Sequence, residues 1–249
     1  VERIDLRFPL NLLVRGVEVI QQPDTLLSLE SLNVRVQAWP LLKGKVEVDE
    51  VTLSQVAVNS ANLIEGMQIK GVLGRFFLQS HGVDLSNETA VVNRTELSDT
   101  HIQLLMTDTT TTPKDTTASA PVNWKVNLHQ LKLKNVSFGM KLPADSMKMA
   151  AYIGEATIDD AKADLKNQFY GLKQFLLSGA SASYDTGEAQ PSEGFDASHM
   201  AVRNIRIGLD SLLYEGRNMN AVIREITMEE RSGLSITSLT GRLFSNDSI

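Results

Sequence analysis

The chain contains no cysteine. That excludes disulfides, thiolate nucleophiles and cysteine-ligated zinc or iron–sulfur sites. Aromatic residues make up only 6% of it, too few for a base-stacking platform or an aromatic sugar cleft. Positive charge is also scarce: 24 Lys and Arg stand against 30 Asp and Glu, for a net charge of -6. Binding of nucleic acid or of an anionic membrane surface through bulk charge is therefore disfavoured. The longest stretch free of Asp, Glu, Lys and Arg, Val51 to Ile64, is 14 residues long. A membrane-spanning helix needs about 20 mostly apolar residues. The chain opens on Val1-Glu2-Arg3, with neither an initiator Met nor a signal-type segment. We expect it to be a piece of a longer protein whose anchor or address lies outside this sequence.

Catalytic motifs are missing as well. No phosphate-binding loop, dinucleotide fingerprint, His-Glu-x-x-His or Gly-x-Ser-x-Gly occurs. His81, His101, His129 and His199 stand alone, with no second histidine at metal-ligand spacing, and are expected to be surface or edge residues. The paired carboxylates Asp159-Asp160 and Glu229-Glu230 point to opposite faces if they lie in strands, and are expected to be solvated turn residues. The residues thus point away from an enzyme and imply no cofactor or metal.

What the sequence has in abundance is period-2 alternation, as in Glu30 to Val36. Such alternation places one set of side chains on one sheet face. It is interrupted at a fixed interval. Val46 and Val48 are followed by Val51 and Leu53, then by Val56 and Val58. The same figure recurs 80 positions later as Val126 and Leu128, Leu131 and Leu133, Val136 and Phe138. Shorter versions occur at Leu12/Val14/Val17/Val19, Leu27/Leu29/Leu32/Val34, Ala156/Ile158/Ala161/Ala163 and Met200/Val202/Ile205/Ile207. A slip of one residue turns the apolar set to the other face unless a bulge absorbs it. The pattern therefore fits two architectures: a two-layer sandwich in which each slip is a crossing, or a sheet curled by bulges repeated along its strands.

Helix signals are few. Trp39 to Gly44 suggests a helical turn beginning at Pro40 and ended by Gly44. Ala161, Leu165, Phe169, Leu172 and Leu176 fit helical spacing, but Gly171 disfavours a helix, and strand, turn, strand with the turn at Asn167 to Gly171 is preferred. Thr107 to Pro121 holds no aliphatic larger than Ala and reads as a disordered linker or loop. Tyr184 to Ser198 is a second soft stretch. The expected organisation is an N-terminal β-repeat lobe (1–106), the Thr-rich segment (107–121) and a second β-repeat lobe (122–249) that continues the same sheet.

Three stretches carry a family resemblance. Val17 to Val58 includes Trp39-Pro40-Leu41-Leu42-Lys43-Gly44-Lys45 followed by slipped strands. The second runs from Asn123-Trp124 to Phe138. The third runs from Phe195 to Leu243 and includes Leu209-Asp210-Ser211-Leu212-Leu213-Tyr214. In this order they resemble the AsmA-like superfamily, most closely its TamB branch of the Bacteroidetes type. The resemblance implies a mainly β fold, an antiparallel sheet curled into an open U-shaped trough with few short helices. It implies a periplasmic protein anchored in the inner membrane by an N-terminal helix outside this sequence, with no catalytic residues. The implied role is passage of phospholipid between the inner and outer membranes, with an outer-membrane protein as a further implied partner. The alternatives are an assembly factor acting by β-augmentation and a non-catalytic structural or binding module.

Joined to the slipped pattern, this makes an apolar floor for acyl chains out of Val46, Val48, Val51, Leu53, Val56, Val58, Val126, Leu128, Leu131, Leu133, Val136 and Phe138. The competing expectation is that these residues form an ordinary closed core.

Overall fold

A computed structural model describes all residues except 9, 22–23, 43–46, 61–65, 85–86, 107–122, 188–189 and 246–249. Thirteen strands form one sheet: β1 (Arg3–Arg7), β2 (Asn11–Gln21), β3 (Asp24–Val36), β4 (Val48–Asn59), β5 (Met67–Asp84), β6 (Thr89–Met106), β7 (Lys125–Leu142), β8 (Met147–Asp164), β9 (Phe169–Leu172), β10 (Gln174–Asp185), β11 (His199–Glu215), β12 (Asn218–Glu230) and β13 (Ser235–Ser245). Strands pair in chain order, except that β10 follows β8 along the path and the short β9 bridges β8 and β11. All pairs are antiparallel apart from β6 with β7. The sheet is curled, and strands from both sides of the Thr-rich segment belong to it. That segment lies outside the described residues.

The short alternating pieces of sequence fuse across their slips. β5, β6, β7 and β8 are each 18 residues long, or about 60 Å at the usual rise per residue. Neighbouring strands slip at the same level, so the ladder stays in register on both sides. The clearest level runs through Gly16, Glu30, Gln55, Gly74, Asp99, Asn135 and Gly154, whose flanking residues pair directly while they themselves do not. Gly16, Gln55, Asp99 and Asn135 there have positive φ. A left-handed residue within a strand takes up the extra position, and Gly, Asn and Asp tolerate that conformation best. At the parallel pair both partners are left-handed, and Asn135 Nδ2 donates to Asp99 Oδ1 at 2.8 Å.

The sheet is a single layer. Every substantial strand–strand contact lies between sheet neighbours. Among the described residues the buried apolar side chains are four alanines (Ala90, Ala156, Ala180 and Ala221), and no large side chain is fully buried. The accessible surface is 16422 Å², against about 11,000 Å² for a compact protein of this mass. The sandwich architecture is therefore not the one adopted.

Local expectations fare unevenly. The helix is α1 (Ala38–Leu42), beginning two residues before Pro40; its expected end at Gly44 falls outside the described residues. No helix forms at 161–176, where β8, a turn and β9 follow one another. The turn occupies residues 165–168 and not 167–171, because the Asp164 carboxylate accepts bonds from the backbone N–H and side-chain amide of Asn167 (3.1 and 2.9 Å), closing the chain earlier. Asp159-Asp160 and Glu229-Glu230 lie inside β8 and β12, so they are not turn residues.

Candidate functional site: an uncovered apolar face

In an antiparallel or parallel ladder, residues directly opposite one another share a face. Following opposite residues from strand to strand therefore maps the two surfaces. One row reads Ile4, Val14, Leu32, Leu53, Phe76, Leu97, Leu133, Ala156, Leu177, Ile207, Ile226 and Leu239, crossing from β1 to β13 without a polar residue. At about 4.8 Å per strand this row spans about 50 Å. The adjacent row on the other face reads Arg3, Arg15, Ser31, Ser54, Arg75, Ser98, Lys134, Glu155 and Ser178. The slip level thus does what the alternation requires, keeping the apolar set on one face along each strand.

The candidate floor residues fall into these rows. Val51 aligns through Leu78 and Thr95 with Leu131, and Leu53 through Phe76 and Leu97 with Leu133. Val56 aligns through Leu73 and Thr100 with Val136, and Val58 through Gly71 and Ile102 with Phe138. The two sequence copies are one surface, read three strands apart. Val48 lies opposite Val36. Val126 lies between Ala90 and Ala163, and Leu128 between Val92 and Ala161. Val46 is outside the described residues.

Most of these side chains are half-buried by their row neighbours, while Val58 and Phe138 are each 40% exposed and Ile102 between them is 39% exposed. Among the described residues no second layer lies over this face, and none of these side chains is fully buried. Thr100, one of the few polar residues in the rows, is buried and donates its hydroxyl to Ser98 O in its own strand at 3.2 Å.

The opposite face carries cross-strand ion pairs: Arg35 with Glu50 (3.0 Å), Lys125 with Asp164 (3.3 Å) and Arg203 with Glu229 (3.1 Å). A cavity of about 1060 Å³ also lies at one end of the sheet, lined by residues of β5, β6, β7, β8, β10 and β11. Its lining takes Gln68 and Lys70 from β5 but not Ile69 between them, and His101 and Gln103 from β6 but not Ile102. The strands that follow contribute both sets of residues, among them Phe138, Ala151, Ala182 and Val202 of the apolar row that contains Ile102, so the cavity joins polar and apolar lining at this end of the sheet. Sequence spacing gives no sign of it, since the β7–β8 hairpin brings Lys141 and Lys148 together while Lys70 and Arg231 come from distant strands.

Two expectations about titratable residues fail. His199 is not a surface residue: its side chain is 5% exposed, with Nδ1 3.0 Å from Asp196 and Nε2 3.3 Å from Asp185. Glu230 is not solvated either; it is buried and accepts the backbone N–H groups of Ser232 (2.7 Å) and Ala201 (3.3 Å). Hydrogen bonds from the Ser232 hydroxyl and N–H hold its carboxyl below the usual range. The backbone N–H groups of Ser192 and Ser198, with His199, hold Asp196 far below that range. A hydrogen bond from His129 lowers Asp160.

Among the described residues no His/Asp/Glu group has the arrangement to hold a metal ion, and no helix is long and apolar enough to cross a membrane. No protein-family model matches the chain, and no curated protein matches it.

Proposed function

We propose that the uncovered apolar face is a conduit for the acyl chains of phospholipid, in a module of the AsmA/TamB-like kind working in the periplasm between the inner and outer membranes. The observation that carries this reading is the unbroken apolar row from Ile4 to Leu239 on a face that nothing in the described chain covers. Each methylene moved from water onto such a floor gains about 0.8 kcal/mol. A continuous greasy surface then moves lipid by diffusion along the rows while headgroups stay in water, with no chemistry and no cofactor.

The test is native mass spectrometry of gently purified protein. The wild-type chain is expected to carry phospholipid. A Val51→Glu, Leu133→Glu double variant is expected to lose it while keeping its β-sheet circular dichroism. Equal lipid content in the folded variant would remove these residues from the floor.

One observation favours a second reading, assembly of outer-membrane proteins by β-augmentation. β13 is an 11-residue edge strand with one charged residue, Arg242, and no proline. Its outer side pairs with no described strand. Such an edge can template another strand. At the other edge β1 is five residues long and bears Arg3, Asp5 and Arg7, features that blunt it. Binding of a β-signal peptide that is lost in a Thr237→Lys, Thr240→Lys variant would favour this role.

A further inference from the structure

Across most of the polar face a cation stands opposite a carboxylate or a neutral residue. Like charges stand opposite one another at Arg3 and Arg15 on the edge, and again at the end where the cavity lies. Lys141 of β7 is directly opposite Lys148 of β8. Like charges directly opposite one another destabilise a sheet. No described carboxylate lies within ion-pairing distance of Lys141, Lys148, Lys70 or Arg231, all of which line the cavity. The cavity's one acidic residue, Asp185, stands opposite Lys148 in the ladder, but it is engaged by His199 at 3.3 Å. One row of the cavity lining, next to the lysine pair, consists of small residues, Gly139, Ala150, Ser183 and Ala201. A chain with a net charge of -6 thus gathers free positive charge around a cavity of about 1060 Å³.

We infer that this cavity binds a phosphate-bearing anion between Lys141 and Lys148. A phosphate monoester at neutral pH carries nearly two negative charges, enough to neutralise two opposed ammonium groups at once. Lys70 and Arg231 add long-range attraction at the rim. The row of small residues leaves room for the group to approach the backbone. The lysine pair alternates along β7 and β8 with the apolar Met140 and Met149, and it binds through charge, so the inference does not depend on the acyl-chain reading. Its phosphate could be free in solution or the headgroup of a lipid, and the chemistry of recognition is shared.

Calorimetric titration at low ionic strength with inorganic phosphate, and separately with the water-soluble dihexanoyl phosphatidate, tests this. Binding is expected to weaken with added salt. It is expected to fall about tenfold for each of Lys141→Gln and Lys148→Gln, and to be unchanged in Leu133→Glu on the apolar face. Without phosphate, Lys141→Gln should melt at or above the wild-type temperature, because the lysine pair is relieved. Equal affinity for the two titrants supports a free phosphate group as the ligand, and tighter phosphatidate binding supports a lipid headgroup. No binding of either titrant, wild-type affinity in the double glutamine variant, or a lower melting temperature for Lys141→Gln would overturn the proposal.

Discussion

Gly74 shows how single residues hold the slip level together. It stands opposite the left-handed Asp99, and a Cβ added to it would lie 2.7 Å from Asp99 Cβ and 3.0 Å from Asp99 O. Gly74→Ala is expected to cost about 1–3 kcal/mol through that overlap, read as a lower denaturation midpoint. Gly139→Ala, whose nearest neighbour would be 3.9 Å away, should leave the midpoint nearly unchanged. Asn135 tests the other half of the device. Asn135→Ala loses both its bond to Asp99 and its ease in the left-handed conformation, at about 1–2 kcal/mol; Asn135→Gly, which keeps the backbone freedom, should lose less. Asp196 gives a pH prediction. Its carboxyl is depressed in the folded state, so its contribution is complete above the unfolded value of about 3.9 and lost as pH falls below that. The protection of the Ser192 and Ser198 amides, taken as the exchange rate relative to the intrinsic rate at the same pH, is therefore expected to fall below about pH 4, and protection that stays constant there would contradict the bonding at this turn.

At the scale of elements, the apolar alternation was legible and its consequence only half so. Val51/Leu53 and Leu131/Leu133 can be read as copies from spacing alone, and their spacing of 80 positions turns out to be the register of β4 with β7 across two intervening strands. The choice between sandwich and curled sheet was not legible in the pattern. It depends on whether the slip at Gln55 or Asn135 ends a strand or is carried within it, and that depends on the neighbours slipping at the same level. The turn at 165–168 was misplaced because one side chain, Asn167, closes it through Asp164. Glu230 and His199 misled for a related reason: their burial comes from the turns at 231–234 and 192–198, which no local pattern announces. Lys141 and Lys148 carried no signal, since only the hairpin through the 3₁₀ turn Pro143–Asp145 sets them face to face.

For the whole molecule, the single layer formed by the described residues is what the proposed function rests on. A compact 249-residue chain has a radius of gyration of about 18 Å. Small-angle scattering is expected to give a value well above that, and a value near it would mean that the sheet closes on itself in solution. On the proposed reading the two faces divide the roles, with the apolar rows taking acyl chains and the polar face meeting solvent. A photoreactive amino acid placed at Leu133, on the apolar face, or at its chain neighbour Lys134, on the polar face, tests that division directly when the protein is irradiated in cells. The account predicts phospholipid adducts from position 133 and not from position 134. Equal labelling at the two positions, or adducts from 134 alone, would contradict it.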